Sequence, residues 1–193
     1  MKRLLAVMLA ITLASFTMQA QENGKKRNGW MNKFQSFNTL QVLNGSTTTS
    51  LAVNTVNGFQ FGKIFTGIGT GFDYYYHRSV PLFIEARLDL LKRKGKLQLF
   101  SNGGLSFPFS SQNKNLEYNA GTYKTSGMYG AGLDYLAMVK KEAIILGVGF
   151  SNKTVLQTRD SYVWNPITNV SEITPIKDEY SLNRISIRIG WMF

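Results

Sequence analysis

Beyond residue 33 the apolar positions recur every second residue rather than every third or fourth. In 180–193, Ile185, Ile187, Ile189, Trp191 and Phe193 share one parity, against Arg184, Ser186, Arg188, Gly190 and Met192. In 80–91, Leu82, Ile84, Ala86, Leu88 and Leu90 stand opposite Phe83, Glu85, Arg87 and Asp89. Around residue 70, Ile68, Thr70, Phe72 and Tyr74 oppose Gly67, Gly69, Gly71 and Asp73. Two later segments repeat the pattern. Tyr129, Ala131, Leu133 and Tyr135 oppose Gly130, Gly132 and Asp134, while Ile144, Leu146, Val148 and Phe150 oppose Gly147, Gly149 and Ser151. Side chains alternate between the two faces of a strand, so each set is one face. The pattern predicts strands at 34–44, 49–61, 65–76, 80–91, 96–107, 126–139, 143–158 and 180–193, with no amphipathic helix. The register of 34–44 is the least regular, because Phe34, Phe37, Leu40 and Val42 do not share a parity.

The connectors divide into two kinds. Those around Gly62, at 92–95 and at 140–142 are tight, whereas 108–125 and 159–179 are long and rich in Asn, Ser and Thr. The connectors 45–48 and 77–79 are short, so the division is partial. Short turns at one end and long loops at the other are the habit of membrane barrels.

The first twenty residues differ from the rest. Lys2 and Arg3 precede an uncharged, mostly apolar run from Leu4 to Phe16, and Ala20 precedes Gln21. A run of that length is too short to span a bilayer comfortably and reads as a secretory signal peptide, residues 1–20. A polar lead-in over 21–33 follows, then a single domain over 34–193. No later stretch is long and apolar enough for a membrane helix.

The charges decide which face meets which surroundings. A soluble barrel or sandwich hides its apolar face and solvates its charges. A membrane barrel reverses this, because a lipid-facing Arg or Lys at the midplane costs ~2–4 kcal/mol. The assigned apolar faces carry no mid-strand charge. The opposite faces gather Asp73, Glu85, Asp89 and Asp134 with Arg87, Arg184 and Arg188, a set expected to form an ion-pair network in the lumen with the many glycines leaving room for it. An eight-stranded barrel is just wide enough to be filled by side chains. The expectation is therefore an all-β, eight-stranded antiparallel up-and-down barrel with a plugged interior. The alternatives are a narrow solute pore and a soluble barrel of opposite facing.

The segments Val56–Phe61, Gly67–Tyr75 and Val80–Arg87, with the ending Leu182–Phe193, resemble the small bacterial outer-membrane β-barrel domain family. The likeness covers most of 34–193 and is tightest at 51–90 and 180–193. It implies a barrel of the OmpX or OmpA-domain kind in the bacterial outer membrane. It also implies that Ile189, Trp191 and Phe193 form the C-terminal signal read by the barrel-assembly machinery. Both chain ends would then be periplasmic, with basic turns (Lys63, Lys92, Arg93, Lys94, Lys96, Lys140, Lys141) beside them and loops 108–125 and 159–179 outside. The expected partners are outer-membrane lipid and lipopolysaccharide, and the barrel is expected to be a monomer.

The chemistry on offer is sparse. The chain has no Cys and one His, which removes disulfides, thiolate metal sites and most metal constellations. Net charge is +11, but the basic residues are dispersed and no nucleic-acid motif is present. The Gly67–Gly71 alternation lies in a strand with no helix after it, so it is not a phosphate loop. His77-Arg78-Ser79 is the one catalytic candidate, a base beside a nucleophile. It is similar to the His-x-Ser-Asn pattern of outer-membrane lipid A deacylases, but Val80 stands where Asn is required. No enzyme, cofactor or metal is expected, and the function is read as structural or interactive.

Overall fold

The computed structural model describes residues 34–46, 48–92, 95–109, 122–166 and 170–193. The signal peptide and lead-in assigned to 1–33 lie outside the described residues, as do Arg93 and Lys94. Among the described residues the chain forms nine strands: β1 (Phe34–Asn44), β2 (Thr49–Phe61), β3 (Ile64–Asp73), β4 (Ser79–Lys92), β5 (Gly95–Pro108), β6 (Thr122–Lys124), β7 (Ser126–Val139), β8 (Glu142–Asn165) and β9 (Val170–Met192). Each barrel strand pairs antiparallel with its neighbours, and β1 closes on β9.

The short β6 is not a ninth stave. It pairs with β8 at 156–158, and β7 resumes pairing with β8 at Met128↔Lys153. Three residues, 125–127, there face two, 154–155, which is a bulge within one long stave. The result is a closed eight-stranded antiparallel barrel. A second register shift lies between Asp89 and Leu91.

Orientation of the faces follows the alternation. Ile185 and Ile187 are 66% and 64% exposed, whereas Arg87 and Arg188 are 1% and 2% exposed. Leu82, Ile84, Leu133, Leu146 and Val148 also point outward. Water would drive such side chains inward. The barrel is apolar outside and ionic inside.

Strand β1 shows why its parity was mixed. Phe37 points into the lumen, wholly buried, while Leu40 and Val42 point out. Around Phe37 lie Phe65, Leu136, Ile145 and Met192, all within a few residues of the tight turns or the chain terminus. The termini end of the lumen is thus filled by apolar side chains. Glycines make room for apolar and polar lumen side chains alike: a Cβ at Gly69 would run into the Phe83 ring, one at Gly147 into the Asp134 carboxylate, and one at Gly45 would lie 3.4 Å from Arg184 Cγ.

Three expected boundaries change. Tyr74–Tyr76 belong to a loop, since β3 ends at Asp73. The expected outer loop 159–179 is mostly strand: β8 and β9 stay paired from Ala143↔Met192 to Asn165↔Val170. Pairing of β9 with β1 stops at Ile185↔Asn44 and pairing of β8 with β6 stops at Thr158↔Thr122, so from Arg159 to Asn165 the β8–β9 ribbon runs on alone for roughly 20 Å at 3.3 Å per residue. The segment 108–125 also contains strand, namely β6.

Candidate functional site

The lumen holds the polar chemistry in two separate clusters. Among the described residues its buried charges are Asp73, Glu85, Asp89 and Asp134 against Arg87, Lys153, Arg184 and Arg188. Four acids face four bases.

The inner cluster is built from mid-strand residues of β4, β5, β7 and β9. Arg87 lies at its centre. Its guanidinium reaches Glu85 at 2.7 Å and Asp134 at 2.9 Å, and Nη1 also donates to Gln98 at 3.4 Å. Gln98 in turn donates to Asp89 at 2.6 Å, and Asn102 to Glu85 at 3.1 Å. Arg188 stands farther off, 3.8 Å from Asp134 and 4.0 Å from Glu85. Each guanidinium lies over an aromatic ring, Arg87 on Phe37 at 3.9 Å and Arg188 on Phe100 at 3.8 Å. Ring faces attract desolvated cations, so the phenylalanines are part of the site. Arg87 and Glu85 share a face because they are two apart on β4. Asp134 joins them through β5: Gln98 pairs with both Asp89 and Asp134.

The second cluster closes the opposite mouth. Loop 74–78 crosses from β3 and β4 toward β8 and β9. Tyr75 is buried, and its hydroxyl lies 2.9 Å from both the carbonyl and the hydroxyl of Ser151 and 3.2 Å from the Leu182 carbonyl. Burial raises the Tyr75 pKa above its ordinary value, so the hydroxyl keeps its proton. Arg184 fastens the loop from below. It donates to the Tyr75 carbonyl at 2.5 Å and to the Thr48 carbonyl at 2.9 Å, and its guanidinium lies 4.6 Å from the Tyr75 ring. Carbonyls and hydroxyls of two loops, not a carboxylate, satisfy it. Arg184 therefore does not join the ion pairs expected of it. Asp73 is met instead by Lys153 at 2.8 Å, with Ser79 donating to Asp73 at 2.6 Å and Ser106 to Ser79 at 2.9 Å.

Beneath Tyr75 lies a cavity of about 40 Å³ lined in part by Gln41, Asn54, Asp73, Asn102 and Ser186. That space holds roughly two or three waters. Tyr75 lies above it and the Arg87 cluster and apolar end lie below.

The His77-Ser79 pair is not assembled for catalysis. Ser79 is buried and bonded to Asp73, Lys153 and Ser106. His77 turns away and stacks on Tyr123 at 4.5 Å. Burial, and next the Lys153 charge, lower the His77 pKa to about 4, leaving the ring neutral. Exposed Tyr76 packs beside it against Tyr123 and Tyr180, at 6.2 and 6.3 Å. The three consecutive tyrosines 74–76 are thus divided, with Tyr74 outside under Arg78 and Tyr75 as the strap. Ile189 and Trp191 face outward and Phe193 is half-buried.

Sequence reading missed Lys153, and its signal was present: it extends the face Gly147, Gly149, Ser151 by one position. Nothing local marks Tyr75 among three consecutive tyrosines.

No protein-family model and no curated protein matches the sequence. Among solved structures, Neisserial surface protein A (NspA) superposes with a TM-score of 0.50 at 10% identity, covering 82% of this chain and 94% of that one. The likeness is one of fold, and that fold is the closed eight-stranded antiparallel β-barrel.

Proposed function

We propose that this chain is an integral outer-membrane barrel with a closed lumen, serving as a rigid anchor that presents the β8–β9 ribbon outside the cell. One observation carries the reading: the molecule is inverted, with isoleucines and leucines on its outer wall and eight charged side chains buried inside. Only a hydrocarbon surround makes that arrangement favourable. The NspA-like fold supports it. A plugged interior argues for contact rather than transport, and loops that extend beyond a rigid scaffold are where binding is usually placed. On this reading both termini face the periplasm. Ile189, Trp191 and Phe193 serve as the assembly signal, and the outer wall meets lipid and lipopolysaccharide. The OmpX/OmpA-domain likeness belongs to the same reading.

Two measurements test it. After cell fractionation the protein should sediment with outer membranes, and on a gel it should migrate differently before and after boiling. In planar bilayers it should be silent. Recovery in the soluble fraction would overturn the membrane reading. Discrete conductance steps would overturn the closed lumen in favour of a narrow pore.

A further inference from the structure

Charge is shared unevenly between the two ends of the barrel. The connections at the mouth end, 45–48, 74–78, 109–125 and 159–179, hold five basic and five acidic residues. The tight turns at the termini end, 62–63, 92–96 and 140–142, hold seven basic side chains against one acidic one, Glu142. In the lumen, Arg87, Arg188 and Lys153 face carboxylates and Arg184 is held by carbonyls and hydroxyls. Lys63, Lys96, Lys140 and Lys141 make no ion pair with any described residue.

The chain also sets the depth of these cations. Phe61, Leu91 and Val139 are outward and 47%, 59% and 55% exposed, and each is followed within two residues by a lysine: Lys63, Lys92 and Lys140. Two residues of strand span roughly 7 Å. The lysines therefore stand at the rim of the apolar band, where headgroups replace acyl chains, a placement that rests on the membrane reading above. Two-residue turns, Phe61 facing Ile64 and Val139 facing Glu142, cannot carry them much farther out. A lysine so placed lays its stem along apolar neighbours and keeps its charge at the polar level. The three turns lie apart around the rim, joining β2 to β3, β4 to β5 and β7 to β8.

We infer that this rim is a docking surface for anionic phospholipids of the leaflet on the termini side. Charge selects an anionic headgroup: unpaired lysines beside a bilayer attract anionic lipid, and the attraction fades within a screening length of about 10 Å at 0.1 M salt. Distribution selects a leaflet. One small anion, or one patch on a protein, calls for cations converging on a single place. Cations on three separate turns match a ring of headgroups around the barrel. Depth agrees, because the lysines follow the last apolar residues too closely to reach an anionic polymer lying away from the membrane. The mouth end, with its charges balanced, lacks this preference, so the selection belongs to one leaflet.

Trp191 is a reporter at this rim. It is 58% exposed and pairs with Ile144, three residues after Lys141. The full chain is reconstituted in phosphatidylcholine vesicles that hold a minor share of either phosphatidylglycerol or phosphatidylcholine with brominated acyl chains. Tryptophan quenching is read after subtracting that of Trp191→Phe, which retains Trp30 and Trp164. Brominated phosphatidylglycerol should be preferred roughly fivefold, the factor one lysine contributes beside an anionic surface. Lys140→Gln with Lys141→Gln should lose most of the preference while keeping the heat-dependent gel shift, which shows an intact barrel. Arg78→Gln with Lys124→Gln, at the mouth end, should keep it. In the unmodified chain, salt at about 1 M, where the screening length falls to ~3 Å, should abolish it. Equal quenching by the two lipids, a preference that survives salt or the paired lysine change, or lysine-dependent retention on isolated peptidoglycan in place of a lipid preference would each overturn the docking surface and leave the membrane reading standing. Absence of quenching by either lipid would overturn both.

Discussion

The two ends of the lumen are closed by different means. At the termini end the seal consists of stave residues: Phe37, Phe65, Leu136, Ile145 and Met192, backed by the Arg87 cluster. None can leave without opening the barrel. At the other end the seal is a five-residue loop whose Tyr75 is held by hydrogen bonds and by Arg184. A seal made of staves shares the stability of the whole fold. A seal made of a loop has its own, smaller opening free energy, because lifting it breaks a few bonds and no ladder. The inner seal is therefore a matter of barrel integrity, and the mouth is a place where the molecule can change locally.

The comparison is tested hardest at Arg87. Arg87→Leu leaves Glu85 and Asp134 buried without their nearest cation, a loss of about 3–5 kcal/mol for a broken buried pair. Thermal unfolding in detergent, followed by the gel shift, should drop sharply and cooperatively. An unchanged melting curve would mean that the cluster does not hold the staves. Arg188→Leu should cost less, since its carboxylates lie at 3.8 and 4.0 Å.

Tyr75→Phe probes the other seal. It removes the donor to Ser151 and Leu182 at a cost of about 1–2 kcal/mol. The loss should be local. Trypsin should cut faster after the exposed Arg78, while the melting of the barrel barely moves. A fall in melting temperature as large as that of Arg87→Leu would mean that both seals belong to one cooperative unit.

How much of this was legible depended on whether one side of a strand is hydrocarbon. Where it is, alternation is enforced, and Arg87, Arg188, Glu85 and Asp134 were placed by parity alone. Lys153 obeys the same rule one step beyond the last position read. Phe37 broke the rule because the termini end of the lumen is apolar, so a phenylalanine there is as much at home inside as outside. The β8–β9 ribbon was hidden for another reason. In 159–179 the apolar residues Tyr162, Val163, Trp164, Ile173 and Ile176 fall on both parities among polar ones, so no apolar row betrays its strands. Tyr75 was invisible because its inward turn is decided by Ser151 and Leu182, far along the chain.

His77 separates the ends by pH. Its folded pKa of about 4 lies below the ordinary 6.5, so the strapped loop keeps the ring neutral. As pH falls from about 6.5 toward 4, the lifted loop takes up a proton and the strapped one does not, so closure weakens through that window and changes no further below it. The ring is partly exposed, so the effect is small. The chain has one histidine, giving a single imidazole to follow by NMR. It should titrate near 4, and upward of that in Lys153→Met, which removes the cation facing it. Titration at the ordinary value in the folded protein would mean that the loop is not strapped.

The smallest effect belongs to the tight turns at the inner end. Gly62 and Lys140 hold equivalent places in two-residue connections, Phe61 facing Ile64 and Val139 facing Glu142. Both have positive φ, 61° and 59°. Glycine adopts that conformation freely, whereas a lysine Cβ there crowds the backbone at a cost of roughly 1–2 kcal/mol. Lys140→Gly relieves the crowding but gives the unfolded chain more freedom to lose, so the net gain is a few tenths of a kcal/mol. Melting should rise slightly, and trypsin cutting after Arg78 should not change, because this turn belongs to the stave-built seal. A change at Arg78 would show that strain at one end of the barrel is felt at the other, and that the two seals are not independent.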